Sequence, residues 1–163
     1  MSDTSGVKIR HNFKPGDIGY IIYLHGSLYF QEYGYDCSFE NYVAGPLSEF
    51  ACSLADRERI WLLERGDELV GSMAIVEHST TEAQLRWLLL HPDIRGHGLG
   101  KRLIDEAIEF CRSCGYTKIF LWTEDLLIPA AKLYTSKGFK ITDEKIHEIW
   151  GSVLTEQKYE LKL

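Results

Sequence analysis

No apolar stretch in this 163-residue chain approaches the roughly 20 residues that a membrane-spanning helix requires. The opening Met1-Ser2-Asp3-Thr4-Ser5-Gly6 lacks the charged and apolar regions of a signal peptide, so a cytoplasmic location is expected. Cysteine is scarce as well: four residues, too scattered for a secreted disulfide framework. Cys111 and Cys114 form a C-x-x-C, but a zinc site needs two further ligands at similar spacing and none is in sequence reach. No metal is expected, and the thiols read as packed. Positive charge is in deficit, with 18 Lys and Arg against 24 Asp and Glu and a net charge of −6. That balance disfavours nucleic acid as a main partner, which would require a basic face. It is compatible with a cationic acceptor such as an amine. Linkers, repeats and low-complexity segments are also lacking. One domain over residues 1–163 is expected, large enough to bury a core without staples.

The most informative feature present is Arg95-Gly96-His97-Gly98-Leu99-Gly100, a glycine-punctuated loop between the apolar run Leu85–Leu90 and an amphipathic stretch opening at Leu99. The first four N–H groups of a helix have no intrahelical acceptor, and glycines let several of them converge on one anion. Arg95, His97, Lys101 and Arg102 add positive or chargeable side chains, so a nucleotide-derived cofactor with its pyrophosphate at this helix start is implied. A Walker loop is excluded, because it needs a Gly five residues before Gly-Lys and a Ser or Thr after it, whereas Arg95 and Arg102 stand there. A dinucleotide fingerprint needs G-x-G-x-x-G, and the spacing here is G-x-G-x-G. Glu124 and Asp125 do follow a strand-like Ile119–Thr123, yet too few strand–helix units remain after them for such a domain.

The pattern R-x-x-G-x-G at Arg95–Gly100 resembles motif A of the GNAT superfamily of acetyl-coenzyme A-dependent N-acetyltransferases. Leu88-Leu89-Leu90-His91-Pro92 resembles that family's fourth strand and the turn after it, and Ala130–Phe139, with Tyr134 and Gly138-Phe139, resembles its motif B. The N-terminal region, with Leu121-Trp122-Thr123, is similar to the acetyltransferase half of bacterial proteins that fuse a MarR-type regulator to a GNAT domain. No winged-helix segment precedes it in this sequence, so a DNA-regulating role is not expected to carry over.

Periodicity predicts a short strand over Val7–His11 and a helix over Asp17–Tyr33 stopped by Gly34. A second helix capped by Asp36 is expected to run to about Ala55, kinked or split at Gly45-Pro46. A hairpin turns at Gly66-Asp67 between Arg59–Glu64 and Glu68–His78, with a bulge or close packing at Gly71. The fourth strand is Glu82–Leu90. A helix from Leu99 to about Cys114 buries Leu99, Leu103, Ile104, Ala107, Ile108 and Cys111. Lys118–Thr123 is a buried strand, Ala130–Lys137 a helix opened by Pro129, and Phe139–Trp150 with Ser152–Leu163 a long antiparallel pair. The order matches the family's mixed α/β fold. The resemblance implies a central six- or seven-stranded sheet, about four helices, and a gap for the cofactor arm where the fourth and fifth strands splay.

What the resemblance implies for function is acetyl transfer from acetyl-coenzyme A to a primary amine of a small molecule or protein, by direct attack in a ternary complex. A non-catalytic acyl-coenzyme A sensor is the alternative. Backbone amides of Gly96, His97, Gly98, Leu99, Gly100 and Lys101, with Arg95, would hold the pyrophosphate. Main-chain groups of Leu88, Leu89 and Leu90 would hold the pantetheine and polarise the carbonyl. Tyr134 matches the tyrosine that donates a proton to the departing thiolate. Family members often carry Asn where this chain has Leu127, which removes one side-chain contact to the pantetheine. For the general base, Glu82 at the start of the fourth strand, His78, and a water relay all stand open. Tyr20, Tyr23, Tyr29, Phe30, Tyr33 and Tyr35 form either an aromatic acceptor pocket or core. Exposed strands in the final hairpin would suit a homodimer.

Overall fold

A computed structural model describes residues 6–163 as seven strands and four helices. The strands are β1 (Val7–Arg10), β2 (Arg59–Arg65), β3 (Glu68–Glu77), β4 (Glu82–Leu90), β5 (Lys118–Glu124), β6 (Lys140–Ile149) and β7 (Ser152–Lys162). The helices are α1 (Asp17–Tyr33), α2 (Cys37–Cys52), α3 (Leu99–Ser113) and α4 (Ile128–Ser136). The sheet order is β1-β2-β3-β4-β5-β7-β6, with β4 and β5 parallel and every other neighbouring pair antiparallel. No helix among the described residues is long and apolar enough to cross a membrane.

The two faces of the sheet carry two cores. α3 packs Leu103, Ile104, Ala107 and Cys111 against Met73, Ile75, Leu85 and Leu121 on one face. Phe110 is buried there too, beyond the stripe the periodicity marks, because it meets Trp61 edge-on at 5.8 Å. On the other face Ile21, Phe39, Val43, Leu47 and Phe50 from α1 and α2 cover Ile60, Leu62, Ala74, Trp87 and Leu154. Tyr35 is buried in this second core, Tyr29 and Tyr33 pack at its margin, and Tyr20, Tyr23 and Phe30 are exposed. The aromatic cluster of the sequence is therefore split between core, cavity margin and surface.

Most element boundaries follow the periodicity. α1 ends at Gly34, whose φ of +73° lets its N–H reach Phe30 O at 2.9 Å. α2 departs from expectation: it starts on an Asp36 cap but runs unbroken through Pro46 and stops at Cys52, three residues short of Ala55. Val43, Leu47 and Phe50 are buried on either side of Pro46, and Gly45 has no Cβ to clash with the proline ring, so packing overrides the break.

Two irregularities shape the centre of the sheet. A Cβ on Gly71 would lie 2.8 Å from Leu89 O, so the close approach of β3 to β4 requires glycine. In β4, Trp87 has φ +51°, and the register against β3 slips between Ser72 and Ala74. This is a bulge, held by the Ser72 hydroxyl donating to Trp87 O at 2.7 Å. Its consequence is a change of face. Ala83 and Leu85 lie with the α3 core, whereas after the bulge Leu88 and Leu90 do, and Trp87 turns to the α1–α2 side.

Candidate active site

The parallel pairing of β4 with β5 lasts for three residue pairs only, Glu82 with Lys118, Ala83 with Ile119 and Gln84 with Phe120. Beyond Gln84 the strands part, and the opening leads into a cavity of about 540 Å³. Its walls are Leu85–Leu90 of β4, Leu121–Glu124 of β5, the α1 residues His25, Tyr29, Glu32 and Tyr33, and Leu133 and Tyr134 of α4. Arg95, Gly96, Gly98, Gly100 and Lys101 form one end of it. The structure thus brings together the loop, the Leu88–Leu90 segment and Tyr134; the side chains of His97 and Leu99 are not part of the lining.

The loop end suits an anion. Gly98 stands at the N-cap of α3 with φ +80° and no side-chain cap, and the helix ladder begins with Arg102 N–H donating to Gly98 O at 3.0 Å. The amides of Gly98, Leu99, Gly100 and Lys101 therefore have no acceptor inside the helix. A Cβ built on Gly96 or Gly98 meets no atom within 4 Å, so these two glycines face open space. Gly100 differs, since a Cβ there would lie 3.1 Å from Leu133 Cδ2; its role is the close seating of α3 against α4. Arg95 donates to Leu90 O at 2.8 Å and pairs with Glu32 at 2.7 Å, pinning the loop to β4 and α1. An uncapped helix start, an open glycine cradle and flanking cations fit a pyrophosphate.

The opposite end is acidic and aromatic. Glu124, at the end of β5, is buried with a relative exposure of 7% and lies directly across from Glu156 in the β5–β7 register. Burial, with Glu156 and Asp125 close by, pushes its carboxyl up to about 7, against the opposing effects of a backbone hydrogen bond and the Tyr35 hydroxyl. That Tyr35 hydroxyl is buried beside the carboxyl, and its own ionisation is pushed up by burial and by the Glu124 charge. Tyr134 is buried, packs on Phe139 and Tyr159, and has its phenol pushed up by desolvation and then by the Glu124 charge. It stays protonated at any ordinary pH. His25, buried in the α1 wall, is held on Ile21 O at 2.9 Å and pushed down to about 4, so it is neutral.

Glu82 lies at the other end of β4, where the strands still pair, with Lys118 Nζ at 2.7 Å from its carboxylate. It does not line the cavity, and neither does His78, which packs edge-on against Phe120 at 4.9 Å. Glu124, weighed in the sequence only as the acid of a dinucleotide-binding domain, lines this cavity instead. The available signal was an acid at the C-terminal end of the strand that flanks the splay. Leu127 is buried in the cavity wall.

Among the described residues the sheet has one parallel pair, and its splay opens beside a glycine-flanked helix start, the arrangement of the GNAT fold. Over residues 22–139 the sequence matches the acetyltransferase (GNAT) family, and the chain belongs to that family. It is 30% identical over 125 residues to an uncharacterized N-acetyltransferase of Schizosaccharomyces pombe, covering 73% of this chain and 74% of that protein. To human N-acetyltransferase 8B it is 29% identical over 99 residues, spanning 58% of this chain and 44% of the human protein, less than half its length. Among solved structures it resembles a putative acetyltransferase from Salmonella typhimurium determined with acetyl-CoA, with a TM-score of 0.76, 16% identity, and coverage of 97% of this chain and 94% of that one.

Proposed function

We propose that this chain transfers acetyl from acetyl-coenzyme A directly to a primary amine of a small molecule or protein, in a ternary complex and in the cytoplasm. The observation that carries the reading is one cavity joining an uncapped glycine loop to a buried carboxylate through the splay of β4 and β5. When bound, acetyl-coenzyme A supplies a thioester carbon open to attack by nitrogen. The loop amides of Gly96–Lys101 hold the pyrophosphate, with the Arg95 side chain keeping the loop in place. The unpaired edge of Leu88–Leu90 receives the pantetheine amides and presents N–H groups to the carbonyl oxygen. Glu124 takes the proton that the amine loses as its bond to carbon forms, and Tyr134 gives a proton to sulfur as the C–S bond breaks. Glu82, tied to Lys118, has no part in this chemistry. The open β6 edge, whose residues are largely exposed, is the surface for a homodimer.

Acetyl-coenzyme A at 100 times its dissociation constant is expected to stabilise the fold by about 2.7 kcal/mol, with NAD giving no shift. A thermal melt checks this, and no rise would overturn the assignment of the loop. Tyr134→Phe is expected to lower kcat about 10²-fold while leaving acetyl-coenzyme A affinity unchanged. Steady-state kinetics beside a binding titration measure both, and an unaltered kcat would remove Tyr134 from the mechanism.

A further inference from the structure

The acceptor end of the cavity carries both signs of charge. Arg86 opposes Ala74, a member of the α1–α2 core, so its side chain emerges on that face of the sheet. Glu156 shares the same face, being two residues from Leu154 of that core, and Glu124 faces it across the register. All three residues line the cavity, Arg86 on one side of the splay and the two carboxylates on the other.

Two of the carboxylates around Arg86 have another basic side chain close to them. Glu32 is paired with Arg95 at 2.7 Å, and Glu156 lies 3.0 Å from His147 Nε2. Glu124 is buried beside Tyr35. Among the described residues Arg86 forms no ion pair; its guanidinium rests 4.7 Å from the Trp87 ring centroid, near Tyr42. The Tyr42 hydroxyl takes part of the guanidinium edge, and the N–H groups that remain carry no anion among the described residues; a guanidinium edge of this kind matches a carboxylate. The Trp87 bulge creates the arrangement by turning Trp87 to the same face as Arg86.

We infer that the acceptor is an amino-carboxylate, its carboxylate held by Arg86 on the Trp87 face and its amine directed across the splay to Glu124 and Glu156. The inference rests on the acyl-transfer reading and adds the acceptor class to it. A polycation would bring its second positive charge against Arg86, and a neutral amine would leave that guanidinium without an anion.

The test pairs each of the L-amino acids, β-alanine and γ-aminobutyrate with its amide, using acetyl-coenzyme A as donor and measuring kcat/KM. At least one acid is expected to exceed its amide by more than tenfold. Arg86→Leu should lower kcat/KM for that acid more than tenfold, chiefly through KM, and leave the amide within about twofold, with Arg86→Lys restoring part of the loss. Amides used as well as acids throughout, or an equal loss for acid and amide in Arg86→Leu, would overturn the inference. Turnover of no member would overturn it as well. A melt with acetyl-coenzyme A separates the two levels: a retained shift alongside these failures leaves the acyl-transfer reading standing, and a lost shift in the unaltered protein sinks both.

Discussion

Glu124→Gln is expected to lower kcat about 10³-fold and, at pH 8, to make the protein more stable. Both effects have one origin. The carboxyl sits at the end of β5, sealed by the sheet and α1, with Glu156, Asp125, Tyr35, Tyr29 and Tyr134 interacting with it and His147 lying on Glu156. Burial raises it from 4.5 to about 7, so the folded protein binds this proton more tightly than the unfolded chain. The stability it contributes is therefore fully present below pH 4.5 and is lost as pH rises through 7, by about 3 kcal/mol in all at 1.36 kcal/mol per pH unit. Glutamine keeps the shape without the charge and escapes that loss. For catalysis the same shift places the proton acceptor near neutrality, where it is free to receive a proton and still basic enough to take one. Wild-type kcat/KM should rise with a midpoint near pH 7, leaving in the variant only the slope set by the acceptor amine itself. Melts between pH 5 and 9, run beside pH–rate profiles, decide the matter. A variant with wild-type turnover and an unchanged midpoint would exclude Glu124 as the base.

The order of elements, and the meeting of the loop and Tyr134 at one cavity, were legible in the sequence because each leaves a local mark: a period, a glycine in a left-handed turn, a motif at fixed spacing. α1 from Asp17 to Tyr33 and β4 from Glu82 to Leu90 match the pattern residue for residue. Three features were not legible, and each is decided by contacts distant in sequence. Pro46 does not divide α2, since Val43, Leu47 and Phe50 are all anchored in one core. The Trp87 bulge depends on Ser72, fifteen residues away on β3, whose hydroxyl satisfies the displaced carbonyl. Glu124 looks like any strand-end acid; only the meeting of Glu156, Tyr35 and the α1 aromatics makes it a buried one. Glu82 has the opposite history. Its place near a strand start suggested a base, but parallel pairing brings Lys118 opposite it and leaves it outside the cavity lining.

Replacing Gly98 with leucine is expected to weaken acetyl-coenzyme A binding by at least about 10²-fold, more than the strain of the substitution accounts for. Two effects act there and can be separated. With φ +80°, a leucine carries a backbone cost of about 1–2 kcal/mol, which lowers stability whether or not a ligand binds. A Cβ at Gly98 meets no protein atom within 4 Å, so a side chain there starts into open space at the uncapped helix start where the pyrophosphate is to sit. Gly98→Asn is the control for the first effect, because asparagine tolerates the left-handed region. Gly100→Ala is a second comparison: its methyl group would meet the end of the Leu133 side chain at 3.1 Å and not open space, so binding of acetyl-coenzyme A should fall far less than with leucine at Gly98. If binding falls with side-chain bulk at Gly98 while stability follows backbone strain, the anion site lies on the loop. A leucine variant that binds acetyl-coenzyme A as the wild type does would move the pyrophosphate away from these amides, and the functional reading built on them would fall with it.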